Sequence, residues 1–440
     1  MPWVGRNATL PLAGLLGEHL SMHSVPGAGI GVLRDTAVTA ASSGIADATT
    51  GEPVTADTRF AVGSLAKSMV ATVIARLAEA GRLSLEDPVA AHVPELRGVG
   101  WAARATVRDL LANRSRLPLR AQVEFSALQG EADDALSRFA ATIATGAPTV
   151  SFWSYSNAGW CLLGRAIETL TGRSWEEAMG AQLLAPLAMH QTTFTSSPVA
   201  EPRAVGHRLT PDGPVPVQPW TPRSHGPAGS TLLLTLGDLL RFARRHLEDP
   251  SLAIMRAAHA PVRIHGWLDA WCLGWARFDW DGDQVWGWDG LISGSRAILR
   301  IMPEQRGAVV LLTNGSTGRA LYRSLFPILM RAWFGIAMPA LRLDSSPGAA
   351  GDLARFAGVY AWPDRRWEVT ARDTHLLMEG DGGAVEALPL DDCTFVVDAE
   401  DPDTPTVTFG GSAPAVVRPC SIRCCGDCHA CSPLQVRLED

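Results

Sequence analysis

The stretch that most restricts what this chain can become is Phe60-Ala61-Val62-Gly63-Ser64-Leu65-Ala66-Lys67-Ser68-Met69. Gly63 breaks the preceding run, and from Ser64 to about Gly81 apolar residues recur at helical spacing (Leu65, Met69, Val70, Val73, Ile74, Leu77). Ser64 therefore opens a buried helix. Lys67 follows Ser64 by less than one helical turn, which puts hydroxyl and amine on one face and within mutual reach. Of the 38 basic residues Lys67 is the single lysine; every other one is arginine. Burial can lower the pKa of a lysine until it serves as a neutral base, whereas a guanidinium stays protonated. A solvated lysine near a serine would show the same spacing. Its place after Gly63, at the start of an apolar helix, favours reading the pair as a nucleophile and its base.

The rest of the chain reads as a mixed fold. Residues 9–22 have the pattern of a first helix, 27–33 and 36–44 of a strand pair, and 130–146 and 158–170 of two further helices. Residues 198–230, rich in Pro and Gly, read as a long loop over a cleft. Residues 232–247 read as a helix, followed by strand-like runs at 271–280, 284–290, 295–302 and 308–314, with Asp281-Gly282-Asp283 as a hairpin turn, and a closing helix at 319–334. The expectation is an α+β architecture: an antiparallel sheet flanked by helices, with an all-helical subdomain. A catalytic domain would occupy residues 1–344, a small-residue linker 345–351, and a small β-rich domain 352–440.

A second constellation is Tyr155-Ser156-Asn157, just before the apolar helix at 158–170; Tyr155 is one of three tyrosines. On such a turn a phenol and a carboxamide point the same way, the phenol able to relay protons and the amide to hold a lysine or a carbonyl. The structural alternative is a tyrosine packed by its ring and an asparagine capping the helix.

Composition removes several classes of partner. A net charge of -7 leaves no basic footprint for nucleic acid. No run of about 20 uncharged apolar residues occurs; the best, 325–341, is broken by Arg331 and two prolines, so no membrane partner is expected. The apolar run at 10–16 is too short and poorly flanked for a secretory leader, and a cytoplasmic location is expected. Five of the eight cysteines, Cys420, Cys424, Cys425, Cys428 and Cys431, crowd the end beside His429. They read either as a zinc site or as a poorly ordered tail, because structural zinc sites favour two pairs separated by a folding loop. No metal or other cofactor is expected in the catalytic chemistry.

Taken together, Ser64-x-x-Lys67, Tyr155-x-Asn157 and a glycine-bearing strand followed by Leu311-Leu312-Thr313-Asn314 resemble the penicillin-recognising serine hydrolases. The likeness is to the branch of class C β-lactamases, DD-peptidases, family VIII esterases and related transacylases, and covers roughly residues 10–335. It implies that Ser64 becomes acylated, that Lys67, neutral or sharing a proton with Tyr155, takes the hydroxyl proton, and that Tyr155 returns a proton to the leaving group and activates the acceptor. It also implies that Asn157 orients Lys67 and the substrate, and that the N–H groups of Ser64 and Leu291 form an oxyanion hole.

Two departures qualify the likeness. Where the family has Lys-Thr-Gly or His-x-Gly, this chain has Trp288-Asp289-Gly290. The cation is gone, and with it the main attraction for a substrate carboxylate; Trp288 suggests an apolar or flat substrate, while Gly290 would let a substrate approach the backbone. Where the family commonly has His-Thr-Ser-Gly-Leu, the chain has Asn113-Arg114-Ser115-Arg116-Leu117, whose arginines could serve an unusual substrate. The expected function is transfer of an acyl group from Ser64 to an amine or alcohol, as in ATP-independent amide or ester formation in natural-product biosynthesis. Hydrolysis of a small-molecule ester or amide is the alternative, ahead of β-lactamase or D-peptidase activity; a non-catalytic scaffold is the reading from another class.

Overall fold

In the computed structural model the described residues are 11–114, 117, 134–145, 153, 155–195, 202–264, 268–339, 351–362, 365–380, 383–389, 394–396, 406–408, 415–416 and 434–435. The first helix, α1, is Leu12–Met22, and strands β1 (Gly27–Arg34), β2 (Ala37–Asp47) and β3 (Glu52–Pro53) follow. The central helices are α2 (Ala66–Glu79), α3 (Asn157–Thr171) and α4 (Leu236–Glu248). Strands β4 (Ala260–Ile264), β5 (Leu268–Trp271), β6 (Ala276–Trp280), β7 (Asp283–Ile292), β8 (Ser295–Met302) and β9 (Gly307–Thr313) lead to α5 (Gly318–Leu329).

These strands form one nine-stranded sheet in the order β3-β2-β1-β9-β8-β7-β6-β5-β4. The crossover joins β1 to β9 antiparallel, pairing Ile30 with Leu311 and Val32 with Val309. Strands β8 and β9 are buried along their whole length, and β1 at all but Arg34, because helices cover both faces. On one face Gly29 and Gly31 admit Leu236 and Leu240 of α4; α5 packs on the other, against β8, β9 and α1. The architecture is therefore α+β, an antiparallel sheet between helices, as expected. A separate six-stranded sheet follows at Gly358–Trp362, Arg365–Ala371, Leu376–Gly380, Gly383–Pro389, Thr394–Val396 and Thr406–Thr408. It has its own core, with Phe356, Tyr360, Leu376 and Phe395 among its buried residues.

Local structure departs from the sequence reading at several elements. The helix expected over 232–247 begins only at Leu236, because Thr235 caps it by accepting from the Asp238 N–H. Leu232–Leu234 instead forms a short strand between Phe60–Ala61 and Thr193–Phe194, at the back of the serine turn. The run at 271–280 is two strands, since the chain reverses at Cys272, whose N–H meets the carbonyl of Trp275 at 2.7 Å. The loop over 198–230 carries a hairpin, His207–Thr210 with Gly213–Pro216, and a 3-10 turn at Arg223–Ala228. Residues 345–350 of the expected linker, Arg116, Cys393 and the cysteine-rich tail lie outside the described residues. No helix among the described residues is long and apolar enough to cross a membrane, and no group of His, Cys, Asp and Glu among them could hold a metal ion.

Candidate active site

Ser64 occupies a 3-10 turn, Gly63–Leu65, and the α-helix proper begins at Ala66. Gly63 has φ +51°, and a Cβ there would lie 2.7 Å from the Leu291 nitrogen on β7. Only glycine lets the turn sit this close to the strand. From Ala66 to Ile74 every residue of α2 is buried, so Lys67 is fully enclosed. Its Nζ donates to Ser64 Oγ at 2.9 Å and to the Ala228 carbonyl at 2.6 Å. Ala228 ends the 3-10 turn of the 198–230 segment, so the long loop supplies the lysine with a backbone acceptor. The next residue of α2, Ser68, donates its Oγ–H to the Gly274 carbonyl at 2.7 Å and holds the helix to the β5–β6 reversal.

Tyr155 reaches the same place from the start of α3. Ser156, not Asn157, is the helix cap: its Oγ accepts from the Gly159 N–H at 3.2 Å. Asn157 is the first helical residue, and its Oδ1 is buried with no hydrogen-bond partner among the described residues. The turn is pinned by Asn113, a buried residue at φ +53°. Asn113 Oδ1 accepts from the Ser156 N–H at 3.3 Å and from Trp160 Nε1 at 3.1 Å. The sequence reading treated Asn113 only as a departure from a motif; its supporting role joins positions too far apart for spacing to reveal. Lys67 Nζ lies over the Tyr155 ring, 5.0 Å from its centroid. Cys161, one helical turn beyond Asn157, is fully buried; burial pushes its thiol pKa up, while the Lys67 charge works the other way.

Strand alternation on β7 divides the third element between two faces. Trp288 turns towards Tyr155: the rings stand 5.4 Å apart, and Trp288 Nε1 donates to Tyr155 Oη at 3.3 Å. The indole is only 5% exposed, packed against the rings of Tyr155 and Trp271. Asp289 faces the other way, towards α5. Its carboxylate takes the Arg300 Nη1 at 2.6 Å, and Arg300 also donates to Tyr322 Oη at 3.0 Å. Burial pulls the Arg300 guanidinium down, but Asp289 and Tyr322 outweigh it and hold its pKa above the usual value. Asp289 is thus half of an ion pair with the buried Arg300. A Cβ on Gly290 would meet the Val62 carbonyl oxygen at 1.7 Å and the Leu65 nitrogen at 3.0 Å. The bare glycine admits the serine turn, where the sequence reading had it admit a substrate. The same packing brings the Leu291 nitrogen beside the turn that carries Ser64.

This fold, a sheet covered by helices on both faces, is that of a family of serine hydrolases. The chain belongs to the β-lactamase family, whose model matches residues 12–327. It is similar to penicillin-binding protein 4 of Amycolatopsis lactamdurans, with 33% identity over 361 residues, 77% of this chain and 93% of that protein. Among solved structures it resembles SurE, with 28% identity and a TM-score of 0.80 over 97% of this chain and 98% of that one. A second SurE structure, with D-Leu, gives a TM-score of 0.77. The D-amino acid amidase of Ochrobactrum anthropi SV3, at 23% identity, shares the fold with a TM-score of 0.60 over 69% of this chain and 91% of that one.

Proposed function

We propose that this enzyme forms an ester between Ser64 and the acyl group of a donor and then passes that group to an amine or alcohol. The observation that carries the reading is the enclosed Lys67 with its Nζ 2.9 Å from Ser64 Oγ. As a neutral amine Lys67 keeps one N–H on the Ala228 carbonyl and takes the Ser64 proton with its lone pair. The serine oxygen then bonds to the donor carbonyl carbon. The N–H groups of Ser64 and Leu291 hold the oxyanion, each donor worth about 2.7–4 kcal/mol. Tyr155 protonates the leaving group and the acyl-enzyme remains. An incoming amine or alcohol gives a proton to Tyr155 as its nitrogen or oxygen bonds to the acyl carbon. The Ser64 ester bond breaks, and the serine oxygen recovers its proton through Lys67.

One feature supports transfer over hydrolysis, and another bears on the donor. Half-buried Tyr155 and Trp153, backed by the buried Trp271 and Trp288, cluster beside the pair, aromatic surface that disfavours water as acceptor. With Trp288 in place of a cation, a donor whose leaving group carries a carboxylate loses its anchor. The presence of D-Leu in a SurE structure supports a donor whose reacting carbonyl belongs to a D-configured residue.

The test is product partition. D- and L-aminoacyl p-nitrophenyl esters are turned over with rising concentrations of a small amine, and amide and acid are separated by chromatography. Transfer predicts an amide fraction that rises and saturates with amine, greater for D donors. Acid as the sole product at every amine concentration would make the enzyme a hydrolase and overturn the proposal.

A further inference from the structure

The contacts of Trp288 converge on Tyr155. An indole nitrogen carries a proton and offers no lone pair, so in the 3.3 Å contact Trp288 donates and Tyr155 Oη accepts. A phenol oxygen accepts such a bond more strongly once it has lost its own proton. The contact also leaves the proton of Tyr155 available for other acceptors.

The indole is held in place. It stands edge to face with Trp271 at 4.6 Å. Trp271 is fully buried, meets the Tyr155 ring at 5.9 Å, and donates its own N–H to the Leu111 carbonyl at 2.9 Å. Leu111 lies two residues before Asn113, which pins the turn that carries Tyr155. The aromatic cluster thus ties β5, β7 and the start of α3 into one unit around a single phenol. A neutral indole donor can polarise the tyrosine without drawing a ligand carboxylate as a cation would.

We infer that Trp288 is a positioning residue for Tyr155, its N–H fixing the phenol and favouring the form that takes a proton from the acceptor. The inference rests on the proton-transfer role proposed above for Tyr155.

The test is the pH dependence of acyl-enzyme discharge. The full chain is acetylated with p-nitrophenyl acetate and freed of excess ester. Loss of the adduct to water and to ethanol is followed by intact mass between pH 5 and 10. Wild type, Trp288→Phe, Trp288→His and Tyr155→Phe are compared, together with wild-type chain carrying 3-benzothienylalanine at position 288, which keeps the indole shape and lacks the N–H. Removing the donor should move the rising limb up by about one to two pH units in Trp288→Phe and the analogue. Trp288→His, which restores a donor, should bring the limb back towards wild type. Tyr155→Phe should lose the limb and at least about 100-fold in rate.

An unshifted limb in the shape-preserving analogue, with Tyr155→Phe still crippled, overturns the inference about Trp288 alone. Discharge by Tyr155→Phe at the wild-type rate overturns the role of Tyr155 and this inference with it. Failure of wild type to acetylate at Ser64 overturns both.

Discussion

Gly290→Ala should damage catalysis through geometry alone. The new methyl carbon would lie 1.7 Å from the Val62 carbonyl oxygen, where contacts under 3.0 Å do not occur. Strand β7 and the serine turn must therefore separate by about 1.3 Å, and the obstruction is backbone, which cannot swing aside as a flexible side chain would. An oxyanion donor works at about 2.7–3.1 Å, so a displacement of this size takes the Leu291 N–H out of range. Losing one such donor costs about 100- to 1000-fold in rate, while overpacking costs about 1–3 kcal/mol of stability. The assay is the p-nitrophenol burst on acylation, with thermal unfolding measured in parallel. Gly14→Ala is the control: it is exposed on α1 with nothing within 4 Å of the added methyl, so it should gain about 0.5–1 kcal/mol and leave the burst unchanged. A folded Gly290→Ala enzyme whose burst rate stays within threefold of wild type would refute the reasoning.

Lys67→Arg should lose at least about 1000-fold in acylation despite keeping the charge, because a guanidinium cannot accept the Ser64 proton; a burst near the wild-type rate would remove Lys67 as the base. Asp289→Ala leaves the buried Arg300 without its carboxylate and should cost about 3–5 kcal/mol in urea unfolding, whereas a loss under 1 kcal/mol would contradict the ion pair's structural role. His246 is fully buried against α2, and desolvation lowers its pKa to about 3 from 6.5. The unfolded chain binds that proton below about pH 6.5 and the native chain does not, so its contribution is complete above that pH and falls as the solution is acidified. Between pH 7.5 and pH 5 wild type should lose about 2 kcal/mol more than His246→Gln; equal losses would place a proton on native His246.

How much was legible follows from how each residue is held. Ser64 and Lys67 lie within one turn of one helix, and the lysine has no rival in the chain, so short-range periodicity was enough to pair them. Tyr155 was legible as the aromatic of a turn before an apolar helix. Its partners were not. Asn113, Trp271 and Trp288 come from three separate elements, and nothing in their spacing announces that they meet. The lysine's second acceptor is the carbonyl of Ala228, a backbone atom with no sequence signature. Asn157 was weighed as a helix cap, yet Ser156 stands one position earlier with a hydroxyl better placed for the Gly159 N–H. Glycine types were easier to mark than to interpret: Gly290 was recognised as a point of close approach, but what approaches is the chain itself. The early start assigned to α4 came from reading Leu232, Leu233 and Leu234 as helix, where Thr235 supplies the stop that separates strand from helix.

The central claim is that Ser64 carries an acyl group which an amine discharges faster than water does. Intact-protein mass spectrometry tests it most directly, following wild type and Ser64→Ala after exposure to a panel of activated esters and amides, with and without added amine. The account predicts an adduct on wild type alone whose decay accelerates with amine and yields the amide. An adduct that decays at the same rate with and without amine would contradict transfer, and an adduct that forms equally on Ser64→Ala would contradict the nucleophile itself.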